Sequence, residues 1–305
     1  VDTHKIKLNL RTERNLPALD IVVSNKNSLE EITSGALVDI TSTGLRFITL
    51  ARSSLRKFIV LDETDKQIKP ENVKNYFSVV NQMSKEANVQ TIIITHHDLS
   101  EFYDDFRIYE IVDSESPDEF ANRVPRLISE GNMFAREEQS DHLKWMELKS
   151  FEAFIDAKVE FAPGVTAFVG QNMVGKSAWA RAFKTLIGGG RELMVRNGTP
   201  KLEVNLGFSD GRVLHYTRSR KGNPIARYRL HSPESWAADD PKLAPPLHDN
   251  PGADVPEWVA IETGLSTADD IDVQFWSQIK NSFMLDETPS KRAALLSVGR
   301  ESGAI

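Results

Sequence analysis

The stretch Val165–Gly190, VTAFVGQNMVGKSAWARAFKTLIGGG, reads as an apolar strand, a glycine-punctuated loop and a helix. Its loop, Gly170-Gln171-Asn172-Met173-Val174-Gly175-Lys176-Ser177, fits G-x-x-x-x-G-K-[ST], a pattern whose chemistry is phosphate binding. Gly170 and Gly175 free the backbone to turn its N–H groups toward phosphate oxygens. The helix that opens there, with Ala178 in its first turn, brings its positive end to the same place. Lys176 is expected at the β- and γ-phosphates and Ser177 Oγ on Mg2+. Composition alone produces such an octet in roughly one chain in a hundred of this length, so the flanks decide. Val165, Ala167, Phe168 and Val169 supply the strand, and Trp179, Ala182, Phe183, Leu186 and Ile187 fall on one helical face before the glycine stop at Gly188–Gly190. A glycine turn before an amphipathic helix would not need Lys176-Ser177.

The 305 residues allow two domains of ordinary size, and 40% hydrophobic with 27% charged residues describes an ordinary globular chain. The absence of cysteine excludes disulfides, thiolate metal sites and cysteine catalysis. No signal peptide or membrane-length apolar run is visible, so the expected compartment is the cytoplasm. A net charge of −7 argues against a wholly basic surface but leaves room for a local track. Arg212, Arg218, Arg220, Lys221, Arg227 and Arg229 form one candidate, a run without acidic residues that reads either as a DNA contact or as a solvated hairpin face.

Two further strands carry chemistry at their ends. Phe58–Leu61 is a continuous apolar run, as expected of a strand buried on both faces, and it ends in Asp62-Glu63. Asp62 is expected in the Mg2+ shell and Glu63 as the group that polarises the attacking water. Thr91–Ile94 repeats the pattern and ends in Thr95-His96-His97-Asp98. Between them, Pro70 opens a helix with Val73, Tyr76, Phe77, Val80 and Met83 on its apolar face. Upstream lie a β-hairpin (Lys5–Leu10, Leu19–Val23) and a helix from about Leu37 to Ser53. Ile108–Val112 reads as a strand and residues 113–142 as a linker. After the phosphate loop come Leu202–Phe208, Val213–Arg218 and Ala226–Leu230, an antiparallel meander with D-G turn chemistry. His231–Glu257 reads as an irregular loop.

Taken together, the motifs resemble the ATPase head of the SMC/SbcC-type branch of the ABC superfamily, in the compact form that phages encode. GQNMVGKS resembles its Walker A motif and FIVLDE its Walker B. Thr33-Ser34-Gly35-Ala36-Leu37-Val38-Asp39 resembles the signature loop, which implies that Ser34, Gly35 and Ala36 meet the γ-phosphate held by a second head. ITHHD resembles the His-switch, with His96 as the catalytic candidate. VQFWSQIKNSFML resembles the glutamine loop, with Gln278 touching metal and water. WMELKSF resembles the opening strand, with Lys149 near the nucleotide. Met173 and Ala36 stand where glycine is usual, and Thr64–Lys69 lacks the usual proline and aspartate.

The resemblance implies an α/β fold: an ABC-type P-loop ATPase head with a mixed central sheet flanked by helices, plus an antiparallel β subdomain. It also implies ATP and Mg2+ as cofactors, an ATP-dependent head dimer, double-stranded DNA as ligand and an SbcD-type nuclease subunit as partner, with no membrane. A DNA clamp without a nuclease, or an ABC ATPase acting on other substrates, are the alternatives. The lobe order is inverted relative to the family: residues 1–132 carry the signature loop, Walker B and histidines, whereas 133–305 carry Walker A, the meander and the glutamine loop. No sustained heptads occur; with the inverted order this implies two lobes joined in reverse with the coiled coil removed, and a naturally permuted gene or two segments written as one chain would look the same.

Overall fold

The computed structural model describes residues 5–13, 16–25, 28–30, 35–66, 68–114, 122–131, 141–188, 192–222, 224–238, 240, 242–265, 273–276, 288 and 290–293. In chain order its elements are β1 (Lys5–Glu13), β2 (Leu16–Asn25), β3 (Ser28–Glu30), α1 (Gly35–Arg52), β4 (Phe58–Asp62), α2 (Val73–Ala87), β5 (Gln90–Ile94), β6 (Arg107–Asp113) and β7 (Arg123–Ser129). Then follow β8 (Leu143–Phe151), β9 (Phe154–Glu160), β10 (Val165–Val169), α3 (Lys176–Gly188), β11 (Lys201–Phe208), β12 (Val213–Ser219) and β13 (Ala226–His231). The last are α4 (Pro233–Ala237), β14 (His248–Pro251), α5 (Glu257–Thr263) and β15 (Phe275–Trp276). The fold is α/β.

The apolar runs behave as their composition dictates. A strand without a polar face must be covered on both sides, and β4, β5 and β10 lie in the middle of a mixed sheet ordered β15-β4-β5-β10-β6-β7. Along β4, Phe58 and Val60 enter one core while Ile59 and Leu61 enter another. The second core packs residues of α1 and α2 against the sheet, and the first joins the sheet to α3 and to the inner face of a six-stranded antiparallel sheet, β14-β13-β12-β11-β8-β9. β1, β2 and β3 form a separate three-stranded ribbon. β10, far along the chain, inserts between β5 and β6 in parallel with both.

α3 is fixed by aromatic contacts. Trp179 stacks on Phe168, with centroids 5.1 Å apart, and Phe183 meets Phe58 at 5.8 Å and Phe275 at 6.0 Å. Arg181 forks onto Glu152 with bonds of 2.7 and 2.5 Å. These contacts decide where the helix's first residues, Lys176 and Ser177, are held.

Two segments depart from the sequence reading. The expected linker contains β7, an antiparallel edge strand on β6 in which Pro125 stands opposite Ile111; an edge strand tolerates the missing proline N–H. The expected irregular loop contains α4, whose first turn is capped by Ser232 Oγ accepting from Ser235 N at 3.1 Å, and β14, which pairs with β13. α1 runs through Ser42-Thr43-Gly44 without a break. Gly44 brings the helix against Met83 of α2, where an added Cβ would lie 3.5 Å from its Cε.

Gln90 joins the two sheets. Wholly buried, it donates to Leu143 O (2.9 Å) and Ala162 O (2.8 Å) and accepts from Leu143 N at 2.9 Å. Gln90→Ala strands three buried backbone groups, each worth about 1–3 kcal/mol when unpaired. The expected loss is about 3–5 kcal/mol in urea unfolding; a loss below about 1 kcal/mol would show that the two sheets do not depend on this side chain.

Candidate active site

The parallel strands end at one edge of the mixed sheet. Asp62 is in register with Ile94, and Ile94 with Phe168. The residues that follow, Glu63, Thr95 and the loop from Gly170, therefore emerge side by side, at the edge where parallel α/β sheets place their ligands. Glu63 N donates to Ile94 O at 2.8 Å, and Thr95 N to Phe168 O at 3.1 Å, which carries the ladder one residue beyond the strands.

The loop has the conformation its glycines allow. Gly170 sits at φ 141° and Gly175 at φ 98°. A Cβ at Gly170 would stand 2.9 Å from Ile111 O, and one at Gly175 3.2 Å from the Ala153 Cβ. Met173 adopts φ 67°, a left-handed conformation that costs a side chain about 1–2 kcal/mol, which explains why glycine suits this position. Its side chain is 98% exposed. Gln171 and Asn172 are exposed as well, Val174 is half-buried, and Ala178 is buried with its N–H on Gly175 O at 3.0 Å.

Lys176 is only 4% exposed. Its ammonium donates to Gly170 O at 2.9 Å and Gln171 O at 2.7 Å. Burial pulls its pKa down, and the charges of Glu63, Asp62 and Asp65 oppose that. Beside it, Ser177 Oγ–H donates to Asp62 Oδ1 at 2.8 Å. Burial raises the Asp62 pKa, with the Ser177 hydrogen bond opposing. A desolvated carboxylate bonded to a hydroxyl suits a hard cation that draws its remaining ligands from phosphate and water. Among the described residues no group of three or more His, Asp or Glu side chains could hold a metal unaided. Glu63 holds φ 52°, uncommon for a residue with a side chain and a form of backbone strain that clusters at functional sites.

The two histidines differ. His96 is exposed, whereas His97 is half-buried with Nε2 3.5 Å from Asp65 Oδ2. Asp65 is the residue that sequence reading missed: it lies in Thr64–Lys69, the segment that departs most from the family pattern, and its burial beside the site is what marks it. Ser34 and Gln278 lie outside the described residues. Gly35 and Ala36 open α1. In the glutamine-loop region the glutamine among the described residues is Gln274, which is buried and whose amide donates to Arg56 O and Gly264 O. Lys149 lies on β8 with its Nζ 3.4 Å from Glu147.

The basic run does not gather into one track. Arg212 pairs with Asp210 and Glu262 at the hairpin turn, and Arg227 and Arg229 share Asp249. Arg220 donates to the carbonyls of Val195, Arg196 and Thr199. Arg218 projects from the other face of β12, the face of Leu214 and Tyr216, and Lys221 is exposed. Among the described residues no helix is long and apolar enough to cross a membrane. No protein-family model matches this chain, and no curated protein matches it significantly.

His215, on the Arg227–Arg229 face of the antiparallel sheet, has its pKa lowered to about 4 by burial, with Glu203 opposing. The unfolded chain takes this proton near the ordinary 6.5, before the fold does. Stability from this group is therefore complete above pH 6.5 and drains away as pH falls toward 4, by about 3 kcal/mol across the window. In urea unfolding at several pH values, His215→Gln should flatten that fall. An unchanged profile would remove His215 as its source.

Proposed function

We propose that this chain is a Mg2+-dependent ATPase head of the SMC/SbcC type that binds ATP between two copies of itself. The observation that carries the reading is the Ser177–Asp62 hydrogen bond of 2.8 Å, because it joins a phosphate-type loop to the carboxylate of a separate strand. Lys176, now on the carbonyls of Gly170 and Gln171, has exchangeable partners and can turn its ammonium to the β- and γ-phosphates of the substrate. Asp62 and Ser177 are the residues that would hold Mg2+, which when bound neutralises charge on the phosphate oxygens. Glu63, next to Asp62, is the group placed to accept the proton of the attacking water. The water oxygen bonds to the γ-phosphorus as the β–γ bridging bond breaks, and ADP leaves with the bridging oxygen.

The signature-type residues Ser34, Gly35 and Ala36 would close the site of a second copy, so that binding favours a dimer and hydrolysis releases it. Double-stranded DNA and an SbcD-type nuclease subunit are partners by resemblance. Of the basic run, Arg227 and Arg229 share a strand face and a carboxylate, which makes them the pair to test by charge reversal.

Lys176→Ala should weaken ATP binding at least a hundredfold in calorimetric titration, and affinity within threefold of wild type would refute the phosphate-loop assignment. Glu63→Gln should bind ATP yet fail to hydrolyse it, and size exclusion should then show a dimer that appears only with ATP and Mg2+. A variant that stays monomeric under those conditions would remove the paired-head arrangement while leaving the nucleotide site intact.

A further inference from the structure

Asp65 follows Glu63 by two residues and is 1% exposed. Its Oδ2 accepts the Thr95 hydroxyl proton, and His97 Nε2 stands 3.5 Å from the same oxygen. Thr95 Oγ1 in turn accepts the His97 backbone N–H at 3.0 Å. The main chain and the ring of His97 are thus both tied to one carboxylate, directly and through one hydroxyl. His96 has no comparable tie; its ring lies against that of His97, with centroids 4.2 Å apart, and among the described residues no hydrogen bond holds it.

The second carboxylate oxygen, Asp65 Oδ1, has no hydrogen-bond partner among the described residues. A buried carboxylate with one oxygen unsatisfied costs stability that an apolar residue would restore. Such a group calls for a role other than holding the fold. Its position supplies one. Thr95 is bonded to Phe168 O, two residues before Gly170, and the charge of Asp65 is felt at Lys176. With Nε2 turned to the carboxylate, the Nδ1 side of the His97 ring is the one left for a ligand.

We infer that Asp65 is a positioning residue for His97, and that His97 rather than His96 presents its imidazole to the terminal phosphate of the substrate. The inference rests on the nucleotide reading above. Asp65 contacts no substrate in this role; it fixes the ring through Nε2 and the backbone through Thr95. Misplacing a catalytic contact by about 1 Å can cost about a hundredfold in rate, so losses should appear in kcat with KM little changed.

The test is steady-state ATP hydrolysis, with ATP affinity measured separately, for Asp65→Asn, His97→Gln, His96→Gln and the double variant Asp65→Asn/His97→Gln. Asp65→Asn and His97→Gln should each lower kcat at least tenfold with KM within about threefold, the His97→Gln loss should exceed that of His96→Gln, and the double variant should be no worse than His97→Gln alone. Additive losses, or a larger loss at His96, would overturn the inference. If Asp65→Asn does not fold, Thr95→Val breaks the same bridge and should show the same split between kcat and KM; unchanged kcat there would count against the inference equally. Wild-type protein that binds no ATP would instead sink the nucleotide reading itself.

Discussion

One hydrogen bond spans 115 positions of sequence: Ser177 Oγ on the Asp62 carboxylate. It exists because β10 is threaded between β5 and β6, which brings the phosphate-type loop to the edge where β4 delivers its acids. Neither partner could be placed without the packing beneath. Phe168 and Trp179 are stacked, Phe183 touches Phe58, and the Arg181–Glu152 fork ties α3 to the turn between β8 and β9. Removing water from the site also raises the stakes of each charge in it. Burial lifts the Asp62 and Asp65 carboxyls and lowers the Lys176 ammonium, while the carboxylates oppose that lowering.

Much of this was legible in the residues. Runs such as Phe58–Leu61 and Thr91–Ile94 contain no polar face, so they could only be strands covered on both sides, and both are. Strand-end chemistry followed from that, since Asp62, Glu63 and the Thr95–His97 triplet come directly after apolar runs. Gly170 and Gly175, read as freeing the backbone to turn, both take positive φ.

Other features were not legible, for identifiable reasons. β7 carries Pro125 and two arginines and pairs only at an edge, where hydrophobic patterning is weak. Gln90 reads as a polar start to a strand; that its amide would stitch two sheets depends on carbonyls of Leu143 and Ala162, far off in the chain. Asp65 looks like one more solvated acid after Asp62-Glu63, and its burial and its bond to Thr95, just past β5, come only with the fold. The basic run between Arg212 and Arg229 left two readings open in the sequence, one track or a solvated hairpin face. Linear proximity suggested one surface, yet strand alternation sends Arg218 to one face and Arg227 and Arg229 to the other, and the carboxylates facing several of them come from distant segments.

Under the proposed function, the Ser177–Asp62 pair is the protein half of a divalent-cation site completed by nucleotide. Titration of Mn2+ in place of Mg2+, followed by its paramagnetic resonance signal with a non-hydrolysable ATP analogue present, tests this most directly. Wild-type protein should bind one ion per chain in the presence of the analogue, and Asp62→Asn and Ser177→Ala should each lose it at least tenfold while keeping the fold. Equal Mn2+ affinity in wild type and both variants would contradict the account.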